Sequence, residues 1–163
     1  MGIYNDTMFL LDKYGIKANK KLGQNFLISD EVVSNIIEGA NVSKEDLVIE
    51  IGPGLGGLTA KLLENAGKVI AIELDDNMID LLKERFFMYE NFSLIHGDVL
   101  KIDLKKIIDE NSKYKTVKVV ANLPYYITTP IIMKLLEERL NIDSITVMIQ
   151  KEVAERLIAK PRR

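Results

Sequence analysis

The chain has 163 residues, 47% of them hydrophobic and 28% charged, which fits one globular domain with an apolar core. It contains no cysteine, which excludes disulfides, thiol catalysis and cysteine-ligated metals, and no apolar run approaches the roughly 18 residues of a membrane span. The net charge of −2 argues mildly against nucleic-acid binding, and a cytoplasmic protein without membrane contact is the expectation.

The predicted elements begin with a short helix over 4–14, which Gly15 ends, and a basic, irregular segment over 17–29. A helix follows over 30–40, with Asp30 as its N-cap. Strands at 46–51, 68–74, 92–96, 117–123 and 144–149 then alternate with helices at 57–66, 76–88, 129–140 and 151–160. The strands are continuous apolar runs, which is typical of a parallel sheet covered on both faces. The predicted fold class is therefore α/β, with a doubly wound, mostly parallel sheet.

A glycine-rich loop joins the first strand to the next helix, with glycine at positions 52, 54, 56 and 57. Such a loop allows a sharp turn and a close approach of a ligand to the backbone. Glu73 ends the second strand, 21 residues after Gly52, where it can accept hydrogen bonds from ribose hydroxyls. The spacing fits a nicotinamide dinucleotide as well as S-adenosylmethionine, and a tight turn without any ligand is the third interpretation.

Asp98 follows the third strand in the tripeptide His96-Gly97-Asp98. Its carboxylate can accept a hydrogen bond from an adenine amino group, or it can simply cap a turn. His96 is the one histidine of the chain, and packing or surface exposure explains it better than catalysis or metal binding.

The tetrapeptide Asn122-Leu123-Pro124-Tyr125 lies at the carboxyl end of the fourth strand, where open α/β sheets bind ligands. An exocyclic adenine amine is a poor nucleophile because its lone pair is delocalised into the ring. The Asn122 side chain and the Pro124 carbonyl can bind its two hydrogens and favour a pyramidal nitrogen, and Tyr125 offers a face on which the base can stack. These residues favour S-adenosylmethionine and methyl transfer over hydride transfer.

Three motifs in order make the chain resemble the KsgA-type ribosomal RNA adenine dimethyltransferases, from about Lys13 to Pro161. They are Gly23-Gln24-Asn25-Phe26-Leu27, Glu50-Ile51-Gly52-Pro53-Gly54-Leu55-Gly56 and Asn122-Leu123-Pro124-Tyr125, and the segment 150–157 agrees as well.

The resemblance implies a class I, Rossmann-like methyltransferase fold that binds S-adenosyl-L-methionine. Gln24, Asn25 and Leu27 would line the cofactor site. Gly52, with Gly54 in the same loop, would lie under the methionine portion, Glu73 would hold the ribose and Asp98 the adenine amine. Asn122 would contact both cofactor and target base, with Pro124 and Tyr125 as its catalytic partners.

Family members dimethylate two adjacent adenosines of small-subunit ribosomal RNA late in subunit assembly. The resemblance therefore implies the immature small subunit as partner, with Lys17, Lys20 and Lys21 facing RNA from an N-terminal helix and basic arm over 1–28, ahead of a methyltransferase domain over 29–163. A methyltransferase of large-subunit RNA and a non-catalytic assembly factor are the alternatives.

Complete members have seven strands and a helical C-terminal domain, which predicts that this chain is incomplete at its C-terminus. We expect it to bind cofactor, to transfer methyl groups poorly and to self-associate through the strand edge at 144–149.

Overall fold

The computed structural model describes residues 9, 12–14, 30–123 and 125–148, and for residues 125 and 126 only the backbone. Several predictions lie outside these residues: the roles of Lys17, Lys20, Lys21, Gln24, Asn25, Leu27 and Pro124, and the helix at 151–160.

Five parallel strands form one sheet in the order β3-β2-β1-β4-β5. They are β1 (Asp46–Ile51), β2 (Lys68–Glu73), β3 (Phe92–His96), β4 (Thr116–Asn122) and β5 (Ser144–Met148). The predicted bounds of β1 and β3 are confirmed, and those of β2 and β4 differ by one residue. The long apolar runs predicted the strands correctly because both faces of the sheet are covered.

In the described part of the chain, five helices accompany the strands: α1 (Asp30–Ala40), α2 (Gly57–Asn65), α3 (Asp76–Phe86), α4 (Leu104–Glu110) and α5 (Tyr125–Glu137). The predicted bounds of α1 are confirmed, and the other helices differ from the prediction: α2 ends at Asn65, one residue early, and α5 ends at Glu137, three residues early. Helix α4 was missed because it has only seven residues; Asp103 caps it by accepting from the Lys106 N–H. Helix α3 ends at Phe86, two residues early, and α5 begins at Tyr125 rather than Thr129. Pro130 lies inside α5, although proline lacks an N–H and usually interrupts a helix interior.

The helices pack on both faces of the sheet. On one face, α1, α2 and α3 cover side chains such as Val48, Val69 and Val120. On the other face, α4 and α5 cover side chains such as Ile49 and Ile72. This arrangement confirms the doubly wound α/β fold. Within the described part of the chain, no helix is both long and apolar enough to cross a bilayer.

A buried ion pair ties β1 to β4 at the amino end of the strands. The Lys118 ammonium lies 2.9 Å from Asp46 Oδ2 and donates to the Asn41 carbonyl at 2.6 Å. Asp46 also accepts from the Thr116 hydroxyl and from the Ser43 N–H. Burial alone would raise the pKa of Asp46, but these hydrogen bonds outweigh burial and lower it. The pair thereby fixes the two central strands, whose opposite ends carry the candidate site.

Candidate functional site

The candidate residues meet at the carboxyl edge of the sheet. In the strand register, Ile51 of β1 is the partner of both Ile72 and Ala121, and Glu73 is the partner of His96. The residues that follow these positions therefore emerge side by side. The edge between β1 and β4 is also where the crossover helices switch from one face of the sheet to the other, which is where open α/β sheets bind ligands.

The loop after β1 bends sharply, as its glycines predicted. Gly52, Gly54 and Gly56 have φ angles of +73°, +58° and +89°, which lie in the left-handed region that favours glycine. A Cβ atom added to Gly52 would lie 3.2 Å from the Asn122 carbonyl oxygen and 3.2 Å from Leu123 Cδ2. The glycine bend and the tetrapeptide after β4 are thus direct neighbours.

Glu73 joins the first two βα junctions. Its Oε1 accepts from the Gly54 N–H and its Oε2 accepts from the Asp75 N–H, each at 3.0 Å. Burial raises the pKa of this carboxyl, and the backbone hydrogen bonds oppose the rise. Each carboxylate oxygen has a second lone pair, so Glu73 keeps acceptor capacity for a ligand.

Asp98 does cap a turn, but with one oxygen only. Its Oδ1 accepts from the Leu100 N–H at 2.9 Å, whereas Oδ2 accepts no hydrogen bond from the described residues. The Gly97 N–H donates to the Glu73 carbonyl at 2.9 Å, which sets this turn beside the end of β2. The two interpretations of Asp98, a turn cap and a ligand acceptor, are therefore compatible.

Sequence reasoning assigned no role to Glu50, the second-to-last residue of β1. Its side chain is fully buried, Oε1 accepts from the Thr59 hydroxyl, and Oε2 has no hydrogen-bond partner in the described part of the chain. Burial raises the pKa of Glu50 to about 8, the Thr59 hydrogen bond opposes this, and the charge of Glu73 adds to it. An acid inside an otherwise apolar strand was the signal that could have identified it.

Asn122 is the last residue of β4 and is partly buried. Because α5 begins at Tyr125, the tetrapeptide leads directly from strand to helix. His96, at the same edge, bonds Asp76 (Nε2–Oδ1 2.6 Å) at the start of α3 and is about half exposed, as expected for a surface side chain. In the described ranges, no three His, Asp or Glu side chains form a group that could hold a metal ion.

Comparison with known proteins gives a consistent result. Residues 15–163 match the family model described as ribosomal RNA adenine dimethylase. A Clostridium botulinum protein (strain Kyoto / Type A2) named ribosomal RNA small subunit methyltransferase A is 54% identical over 156 residues, which cover 96% of this chain and 56% of that protein. The chain thus spans about half the length of the curated relatives it matches.

Two solved structures share the fold and part of the sequence. A dimethyladenosine transferase from Plasmodium falciparum is 37% identical with a TM-score of 0.69, over 82% of this chain and 46% of that one. The 23S rRNA methyltransferase ErmE is 28% identical with a TM-score of 0.69, over 80% of this chain and 50% of that one.

Proposed function

The chain belongs to the ribosomal RNA adenine dimethylase family, and we propose on that basis that it forms the cofactor-binding part of an enzyme that dimethylates adenosines of small-subunit ribosomal RNA. The methyl groups come from S-adenosyl-L-methionine and go to the exocyclic amine of the base. The contact between Gly52 and Asn122 carries the proposal, because it sets the cofactor loop directly beside the tetrapeptide that would hold the target amine.

The described residues fit this cofactor, which supplies a methyl group on a positively charged sulfur. The carboxyl edge of the sheet carries the carboxyls of Glu73, Asp75 and Asp98, which end or follow β2 and β3. An acidic edge favours a cationic ligand over a dinucleotide, whose pyrophosphate is negative. Gly52 also fits, because any side chain at this position would meet backbone and side-chain atoms within 3.2 Å.

Each residue has a distinct role in the proposal. Gly52 and Gly54 would lie under the methionine portion, the remaining lone pairs of Glu73 would accept from the ribose hydroxyls, and Asp98 Oδ2 would accept from the adenine amine. A hydrogen bond to a charged group contributes about 1.5 to 3 kcal/mol. The resemblance adds Gln24, Asn25 and Leu27 to the same pocket.

The target amine is held by acceptors rather than deprotonated by a strong base. The Asn122 side-chain oxygen and the Pro124 carbonyl bind its two hydrogens, so that the nitrogen lone pair points at the methyl carbon. Tyr125 would stack on the base. Transfer would break the bond between the methyl carbon and the sulfur, release S-adenosylhomocysteine, and pass one proton of the amine to water. Extraction of a stacked base costs a few kcal/mol, while stacking on one aromatic returns roughly 1 to 3 kcal/mol. We therefore expect the 163 residues alone to transfer methyl groups poorly.

The relatives favour small-subunit RNA as substrate. The C. botulinum protein named for the small subunit is 54% identical, whereas ErmE, named for 23S rRNA, is 28% identical. We propose the immature small subunit in the cytoplasm as the partner, with Lys17, Lys20 and Lys21 facing its RNA phosphates.

A chimera tests this function. The chain is joined to the remaining half of the C. botulinum relative and incubated with S-adenosyl-L-methionine and RNA from each ribosomal subunit, and N6,N6-dimethyladenosine is quantified by mass spectrometry. We expect dimethyladenosine in small-subunit RNA only, and its loss in the Asn122→Ala chimera. Product in large-subunit RNA would favour the ErmE-like alternative. An Asn122→Ala chimera as active as its parent would contradict the role of the tetrapeptide.

A further inference from the structure

Lys134, on α5, spans the space between its helix and the turn that begins with Asp98. Its ammonium donates to the Val99 carbonyl at 2.6 Å and to the Ile102 carbonyl at 2.9 Å. The Glu138 carboxylate lies 3.5 Å away, and the Lys134 side chain is only 12% exposed. A lysine ammonium has three donors, and two of them are used in these hydrogen bonds to backbone carbonyls.

Asp98 itself stabilises this turn by accepting hydrogen bonds from the residues that follow it. The Leu100 N–H donates to Asp98 Oδ1, and the N–H groups of Lys101 and Ile102 donate to the Asp98 carbonyl at 2.9 and 3.2 Å. The Ile102 carbonyl accepts from the Leu104 N–H at 3.1 Å, and the carbonyls of both Val99 and Ile102 accept from Lys134. The Lys134 ammonium therefore bridges two carbonyls of the turn and limits the directions in which the Asp98 carboxylate can point.

We propose that Lys134 is a positioning residue that fixes the Asp98 carboxylate for the adenine amine of the cofactor. The inference rests on the proposed function and extends it. Helix α5 starts at the target-base tetrapeptide and, about two and a half turns later, reaches the adenine end of the pocket through this one side chain. Loss of the ammonium removes this donor from the Val99 carbonyl and leaves the Ile102 carbonyl with the Leu104 N–H as its donor among the described residues, and the turn can then rotate Asp98 away.

A pair of ligands isolates this role. S-adenosylhomocysteine and S-inosylhomocysteine differ only at one edge of the base, where the second has a carbonyl oxygen in place of the adenine amine and a hydrogen on the adjacent ring nitrogen. Calorimetric titration of both ligands gives a preference that reports the contact to Asp98. We expect wild type to prefer the adenosyl ligand by about tenfold or more, Asp98→Asn to lose this preference and Lys134→Met to reduce it to about threefold or less. Lys134→Arg, which keeps the charge and the donors, should retain most of it.

Controls separate the possible failures. Lys105→Met, which removes an exposed lysine paired with Asp109 on α4, should leave the preference unchanged. Wild type that binds neither ligand would contradict the proposed function itself. A folded Lys134→Met variant with the wild-type preference would overturn the inference alone, and so would wild type that binds both ligands equally. If Lys134→Met does not fold, Lys134→Gln, which keeps one donor group, must show an intermediate preference; an unchanged preference would overturn the inference as well.

Discussion

The buried carboxyl of Glu50 predicts an unusual dependence of stability on pH. Glu50→Gln is the matched perturbation, because the amide keeps the size of the side chain and an oxygen for the Thr59 hydroxyl but cannot ionise. In the wild-type chain, burial and the nearby Glu73 charge favour the protonated acid in the folded state.

The magnitude follows from the pKa. The pKa of Glu50 is raised from its ordinary value of 4.5 to about 8 on folding. Between these values the folded state holds a proton that the unfolded state has released. The contribution of Glu50 to the free energy of unfolding is therefore fully present below pH 4.5. As the pH rises above this value, the contribution falls by about 1.4 kcal/mol per pH unit. Glu50→Gln lacks this pH dependence. Its free energy of unfolding, relative to that of wild type, should therefore increase by about 4 kcal/mol from pH 5 to pH 8.

Urea unfolding of both proteins at pH 5, 6, 7 and 8 measures this difference. Glu64→Gln serves as the control, because Glu64 is exposed. The difference in free energy of unfolding between this variant and wild type should change little from pH 5 to pH 8. A difference between Glu50→Gln and wild type that stays constant from pH 5 to 8 would refute the reasoning, since it would mean that Glu50 is ionised in the folded state.

Three further predictions concern packing and assembly. Gly56→Ala should lower the free energy of unfolding by about 2 to 5 kcal/mol, because the added Cβ would lie 2.6 Å from the Phe86 ring at a φ of +89°. Gly39 lies in α1, where an added Cβ would meet no described atom outside its own helix within 4 Å. Gly39→Ala should therefore stabilise the chain by about 0.5 to 1 kcal/mol in the same denaturation assay. Lys118→Met should cost about 3 to 5 kcal/mol by leaving Asp46 charged and buried, and added Asp46→Asn should restore part of the loss; equal stability of wild type and Lys118→Met would contradict this. Sedimentation velocity should show concentration-dependent association through β5, which pairs with β4 alone among the described strands; a monomer at every concentration would count against it.

Much of the fold was predictable because local sequence and tertiary structure agree. Apolar runs located all five strands, and the glycines at 52, 54 and 56 predicted a bend that the backbone angles confirm. Helix α4 was missed because only Leu104 and Ile108 of its seven residues are buried, which is too short a pattern to recognise. The start of α5 was predicted four residues late, and the helix contains Pro130, whose tolerance inside a helix depends on the surrounding packing.

The candidate site was predictable only as far as chain position decides it. Glu73 and Asn122 end strands, and Gly52 and Asp98 follow strands, so the order of a parallel sheet brings all four to one edge. Glu50 and Lys134 depend on contacts between elements distant in sequence, with Thr59 and with the carbonyls of the Asp98 turn. Nothing in their local sequence gives those partners.

Cofactor binding at this edge is tested most directly by calorimetric titration of S-adenosyl-L-methionine and NAD into wild type and Asp98→Asn. Asp98→Asn is cleaner than a change at Glu73, because asparagine keeps the oxygen that accepts from Leu100, whereas Glu73 also holds Gly54 and Asp75. We predict that wild type binds S-adenosyl-L-methionine and not NAD, and that Asp98→Asn weakens binding by about ten- to a hundredfold. Binding of NAD instead of S-adenosyl-L-methionine, or equal affinity of the two proteins for S-adenosyl-L-methionine, would contradict the proposed cofactor site.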